Sequence, residues 1–72
     1  MNATLIDAPP YKALYRISEA TKVLSLSRSV IYEQIRAGRL RTVKQGRTRL
    51  VSATAIADYI ALLEHEAEGE AA

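Results

Sequence analysis

At 72 residues the chain has room for one small domain, which buries only about 60% of the surface its unfolded form exposes. It has no cysteine, so no disulfide or thiolate metal site supports it, and that fits a reducing cytoplasm. It carries no long apolar run and no basic-apolar-small leader, so neither a membrane span nor a signal peptide is expected. The net charge of +2 conceals a dipole. Residues 1–52 carry all ten Lys and Arg against Asp7, Glu19 and Glu33, a net +7, whereas residues 53–72 carry five acids and no base, a net −5. A basic body favours a polyanionic partner, because each neutralised phosphate releases condensed counterions.

Residues 1–13 hold Pro9-Pro10, which forbid helix and favour an extended N-terminal arm. Leu5 and Ile6 can add a strand or cover a core edge, with a frayed terminus as the plainer reading. Tyr11 and Lys12 can reach a phosphate, although nothing in the sequence demands it. Leu14-Tyr15-Arg16-Ile17 then leads into a helix, with Tyr15 or Ile17 stapling its start to the core.

Residues 17–38 read as two short helices joined by a tight turn. Ser18 caps the first, whose apolar face is Ala20, Val23 and Leu24 at i, i+3, i+4. Ser25-Leu26 makes the corner. Ser27 caps the second helix and Gly38 ends it. Val30, Ile31 and Ile35 pack inward, leaving Arg28, Ser29, Tyr32, Glu33 and Arg36 facing out. A short helix with a basic, hydrogen-bonding outer face fits a DNA major groove. For Tyr32, half-buried core packing is the competing role.

The next stretch, Arg39 to Val51, is rich in β-branched residues and turns at Gln45-Gly46-Arg47-Thr48, so it reads as a two-stranded hairpin. Lys44, Arg47 and Arg49 sit near its tip, with Arg39 and Arg41 at its base. Such a cationic hairpin directly after a helix-turn-helix is a wing, able to lie along the phosphate backbone or enter a narrow minor groove. A merely solubilising charged hairpin is the alternative.

Ser52 caps a third helix, from Ala53 to about Glu66, on which Ile56, Tyr59, Ile60 and Leu63 form one stripe. That stripe is expected to close the core against Leu24, Ile31, Ile35 and Leu50. The acidic residues after it are expected to fray, which divides the chain into an arm (1–13), a domain (14–66) and an acidic tail (67–72). His65 and Glu68 stand at a chelating i, i+3 spacing, but two ligands in an acidic terminal segment do not make a metal site. No nucleophile set, phosphate loop or paired carboxylates are present, so the chain is expected to be no enzyme and to hold no cofactor.

Ile17-Ser18-Glu19-Ala20, Leu24 to Tyr32, and Ile35-Arg36-Ala37-Gly38-Arg39-Leu40, followed by Gly46-Arg47-Thr48-Arg49 and a capped amphipathic helix, resemble the short winged helix-turn-helix of phage excisionases and MerR-like domains. The likeness spans about residues 14–63 and is nearest to the mycobacteriophage excisionases. It implies a mainly α fold with a small β-hairpin. It also implies a DNA surface of Arg28, Ser29, Tyr32, Glu33 and Arg36 on the helix and Lys44, Arg47 and Arg49 on the wing. Such excisionases are non-catalytic directionality factors of the host cytoplasm. They bind attachment-site DNA side by side, bend it and steer a tyrosine-family integrase toward excision. A basic body and an acidic end allow head-to-tail contact between copies. A small MerR-like transcription regulator is the second reading. The sequence departs from the family at Ser25, where glycine is usual, and at Val30, where threonine is. If position 25 needs φ > 0, serine there costs on the order of 1 kcal/mol.

Overall fold

Three corners shape the chain, and each is a residue with positive φ. Ser25 (φ 57°) ends the first helix, Gly38 (φ 77°) leaves the second, and Gly46 (φ 62°) opens the hairpin turn. A computed structural model describes residues 13–71. Along it lie β1 (Leu14–Arg16), α1 (Ile17–Leu24), α2 (Arg28–Arg36), β2 (Val43–Gln45), β3 (Thr48–Ser52) and α3 (Ala53–Ala71). Two helices joined by a tight corner, a β-hairpin and a closing helix make a winged helix-turn-helix. Apart from Ala13, the extended arm lies outside the described residues.

The start of α1 differs from the serine cap expected at Ser18. The helix begins two residues earlier, at Ile17 with Arg16 as its cap, and the Glu19 carboxylate accepts the Arg16 backbone N–H at 2.8 Å. A charged acceptor at the third helical position satisfies an otherwise free donor and suits the positive end of the helix dipole. Ser18 instead uses its carbonyl, which accepts the Thr21 hydroxyl at 2.6 Å. Ser27 does cap α2, its Oγ accepting the Val30 N–H at 3.2 Å. At the far end of α2, Gly38 N–H donates to the Ile35 carbonyl and Arg39 N–H to that of Gln34, so the chain turns sharply off the helix.

Ser25 occupies the left-handed region with a Cβ, which crowds the following carbonyl. Ser25→Gly is therefore expected to stabilise the domain by about 0.5–1 kcal/mol, the relieved strain exceeding the extra freedom of the unfolded chain. Thermal melts of the two proteins check this. An unchanged or lower Tm would show that serine's local contacts offset the strain.

The sheet has one more strand than the hairpin alone supplies. Its order is β1-β3-β2, antiparallel throughout, with Tyr15 opposite Val51 and Val43 opposite Leu50. Ser52 closes β3 and at once caps α3, its Oγ accepting the Ala55 N–H at 3.0 Å, while Ala53 N–H donates to the Ala13 carbonyl at 2.8 Å. The strand thus passes into the helix without a loop, and this fixes the direction of α3.

Ile17, Ala20, Ile31, Leu40, Val51, Ala55, Ile56 and Tyr59 form the core, flanked by Tyr15, Leu24, Leu26, Tyr32 and Ile35. Three expectations about inward faces fail here, the first at Leu50, which is half-buried on the face of β3 opposite to Val51 and stays outside the core. Val23 on α1 is 51% exposed, since Ala20 and Leu24 already face the core. On α3 the buried stripe is Ala55, Ile56 and Tyr59 with Leu62 half-buried, while Ile60 and Leu63 lie open. Ala55, a small residue, takes a buried place on this face, and Ile60 lies outside it. The third helix also continues to Ala71, past its expected end near Glu66.

Candidate nucleic-acid interface

Helix α2 is held from behind and open in front. Ile31 is fully buried, and Val30 and Ile35 are half-buried beside it. Arg28, Ser29, Glu33 and Arg36 are exposed on the outward side. Tyr32 sits between the two sides, half-buried and packed against the core, so its ring is braced and the edge of the outer face is firm. The Ser29 hydroxyl lies 3.2 Å from that of Ser27 while remaining exposed. Arg28 stands in the first turn of α2, which contains no acid. A cation there opposes the helix dipole by about 0.3–1 kcal/mol, whereas a phosphate at the same place would be doubly favoured.

The wing follows the same logic. Lys44 and Arg49 stand directly opposite each other across β2 and β3, and Arg47 lies in the two-residue turn after Gly46. Like charges facing across a strand pair are destabilising, and no acid among the described residues relieves this one. Arg49 and Val51 are two apart on one strand, so they share a face. The face that Val51 buries in the core therefore carries Lys44 and Arg49 beyond the core's edge. Arg49 is half-buried, and Lys44 and Arg47 are exposed.

Arg39 and Arg41, at the base of the wing, are placed differently, with partners too distant in the chain to leave a local signal. Arg39 forms a bidentate ion pair with Glu66 of α3, Nη1 donating to Oε2 at 2.6 Å and Nη2 to Oε1 at 2.8 Å. Its Nε donates to Gln34 Oε1 at 2.6 Å. Arg41 pairs with Asp58. Both acids belong to α3, so the acidic helix neutralises two cations of the hairpin's base. Among the described residues, Arg28, Arg36, Lys44, Arg47 and Arg49 have no acidic partner.

The hydrogen bonds from Arg39 hold the Glu66 carboxyl below the usual carboxylate range, the guanidinium charge adding a smaller pull. A carboxyl whose folded pKa is depressed contributes stability above its unfolded pKa and loses it as pH falls through the folded value. In an NMR titration the Glu66 midpoint should accordingly rise toward that of an ordinary glutamate in Arg39→Gln. A midpoint equal in both proteins would show that the pair does not persist in solution.

The eight side chains expected at the DNA surface thus occupy one helix and one hairpin, with Tyr32 and Arg49 partly inward. Among the described residues no group of acids or His65 is arranged to hold a metal ion, and no helix is long and apolar enough to cross a membrane. Together these features define a small winged helix-turn-helix protein with a cationic outer helix and wing. Residues 14–61 match the family described as helix-turn-helix domain, and the chain belongs to that family. It is similar to a probable excisionase of Saccharopolyspora erythraea, being 39% identical to it over 54 residues, which are 75% of this chain and 55% of the relative. The chain spans about half the length of that relative, and the two findings together support an excisionase-type assignment. No solved structure matches the chain.

Proposed function

We propose that the chain is a non-catalytic recombination directionality factor. It binds attachment-site DNA and directs a tyrosine-family integrase toward excision. In this reading α2 enters the major groove with Arg28, Ser29, Tyr32, Glu33 and Arg36, and Lys44, Arg47 and Arg49 on the wing engage the adjacent backbone or minor groove. The single observation that carries the reading is a division of charge. Among the described residues the five cations on the outer helix and wing are left without acidic partners, while α3 takes up the two at the hairpin's base. The similarity to a probable excisionase supports the recombination role.

Copies bound side by side would bend the duplex by adding contacts along it. Besides Glu66, which Arg39 holds, Glu64, Glu68 and Glu70 crowd the C-terminal end of α3, against the helix dipole, with Glu64 and Glu68 facing each other at i, i+4. A cationic surface on the next copy would relieve that repulsion and would give head-to-tail contact. Footprinting on the phage attachment region tests the reading, together with an excision assay using the integrase. Tandem direct repeats, a retarded bent complex and stimulated excision are expected. A single inverted repeat with no effect on recombination would make the chain a symmetric transcription regulator instead. Within the interface, Arg28→Ala is expected to cost about 1–3 kcal/mol on the specific site if Arg28 reads a base bidentately. Equal loss on random DNA would make it a phosphate contact.

A further inference from the structure

Arg39 makes more connections than any other side chain described above, and none of them points to DNA. Its backbone N–H and that of Leu40 both donate to the carbonyl of Gln34, on α2. Its Nε donates to the Gln34 side chain, and its two terminal nitrogens grip Glu66, 27 residues further along the chain. Leu40, the next residue, is 1% exposed and is fixed in the core. The planar guanidinium is thus donating along two directions at once, which a lysine ammonium on its flexible stem cannot reproduce. Gln34 lies on α2 between Glu33 and Arg36 in the helical turn. The bridge therefore joins the end of the outward-facing helix to the distal part of α3, where the remaining side chains are mostly exposed.

We propose that Arg39 is a positioning residue for DNA reading. Through Gln34 and Glu66 it fixes the C-terminal end of α2 against α3, and so sets the angle at which the outer face of α2 meets base edges. This rests on the DNA-binding reading above. A surface ion pair of this exposure contributes little to stability, so its effect is on geometry rather than on folding.

The test compares wild type with Arg39→Gln, Glu66→Ala, the double variant, and the exchanged pair Arg39→Glu with Glu66→Arg. Two duplexes of equal length and composition serve as probes, one bearing a site selected in vitro by the wild-type protein and one scrambled. Removing Glu66 raises affinity for both duplexes through net charge, so the readout is their ratio. Each single variant is expected to lower the selected-to-scrambled ratio roughly 3- to 10-fold, a size typical of coupling through a packed bridge. The double variant should be no worse than either single, and the exchanged pair should recover part of the loss. The salt slope of Arg39→Gln should equal that of wild type. In the free protein the Arg39 Nε–H NMR signal should be shifted and protected, should lose that protection in Glu66→Ala, and should keep it in Glu68→Gln.

A slope flattened by about one in Arg39→Gln, with both duplexes weakened alike, would make Arg39 a phosphate contact and overturn the proposal. So would a lowered Tm with an unchanged ratio, which marks a purely structural bridge. An Nε–H signal indifferent to Glu66 would overturn it as well. If wild type retains no duplex, the DNA-binding reading itself falls and takes this role with it. An unchanged ratio or an indifferent Nε–H signal, with duplex binding by wild type retained, counts against Arg39 alone.

Discussion

Replacing Arg47 and Arg49 together with alanine should weaken binding to any duplex roughly thirtyfold at 0.15 M salt and flatten the salt slope by about 1.8. Both figures follow from counterion release at two phosphates, each contributing about 0.9 to the slope. Neither arginine has an acidic partner among the described residues, so no internal ion pair is lost with them. Arg49 faces Lys44 across the strand pair, and removing one of two opposed cations should leave the fold as stable or slightly more so. Lower affinity with an unchanged or higher Tm is therefore the signature to look for in a salt-titrated gel shift paired with a thermal melt. Unchanged affinity and slope would take the wing out of the interface. A lost melt transition would mean that the hairpin's tip supports the fold.

Ile31→Ala should remove about half of the stability of the domain. Ile31 is fully buried in the middle of α2, where the residue and its neighbours carry that helix on the core. Truncating a buried isoleucine to alanine costs about 2–5 kcal/mol, from lost transfer energy and the cavity left behind. A domain of this size has roughly 4–11 kcal/mol in total. The Tm should fall by at least about 8 °C, because 1 kcal/mol corresponds to about 4–8 °C in so short a chain. Val23→Ala is the matched comparison on an exposed position and should change stability by less than about 0.5 kcal/mol. A small loss at Ile31 would mean that α2 is not seated on the core as described, and its outer face would then lack a rigid support.

The parts of the fold that depend on neighbours in sequence were legible before the structure. Ser27 caps α2, Gly38 ends it, and Gly46 with Arg47 makes the two-residue turn of the wing. Each is a local matter of one side chain or one positive φ. The corner at Ser25 is legible only as a condition, since a serine where the resembling family has glycine is strained only if φ is positive there, and the structure supplies that φ. The rest of the fold depends on distant partners. β1 has three residues, too few to show a period of two, and it is a strand only because Val51 and its neighbours lie beside it. The buried face of α3 includes Ala55, whose small side chain gives a stripe of large apolar residues no signal, and it leaves Ile60 and Leu63 outside. The pairing of Arg39 with Glu66 and of Arg41 with Asp58 has no local trace at all. Five arginines and lysines on one hairpin read as a single cationic element, but the fold divides them into two that α3 neutralises and three that it leaves free.

That division of the surface can be tested by cleavage from fixed points. The chain lacks cysteine, so single cysteines at Ser29, Thr48 and Glu68 can each carry an iron chelate without background. Each labelled protein is bound to a duplex that accommodates one copy, and the strand breaks are mapped. Cleavage from position 29 inside the site and from position 48 at its edge, with none from position 68, is the expected pattern. Breaks from position 68 as strong as those from 29, or silence from both 29 and 48, would put the acidic helix rather than α2 and the wing against the DNA.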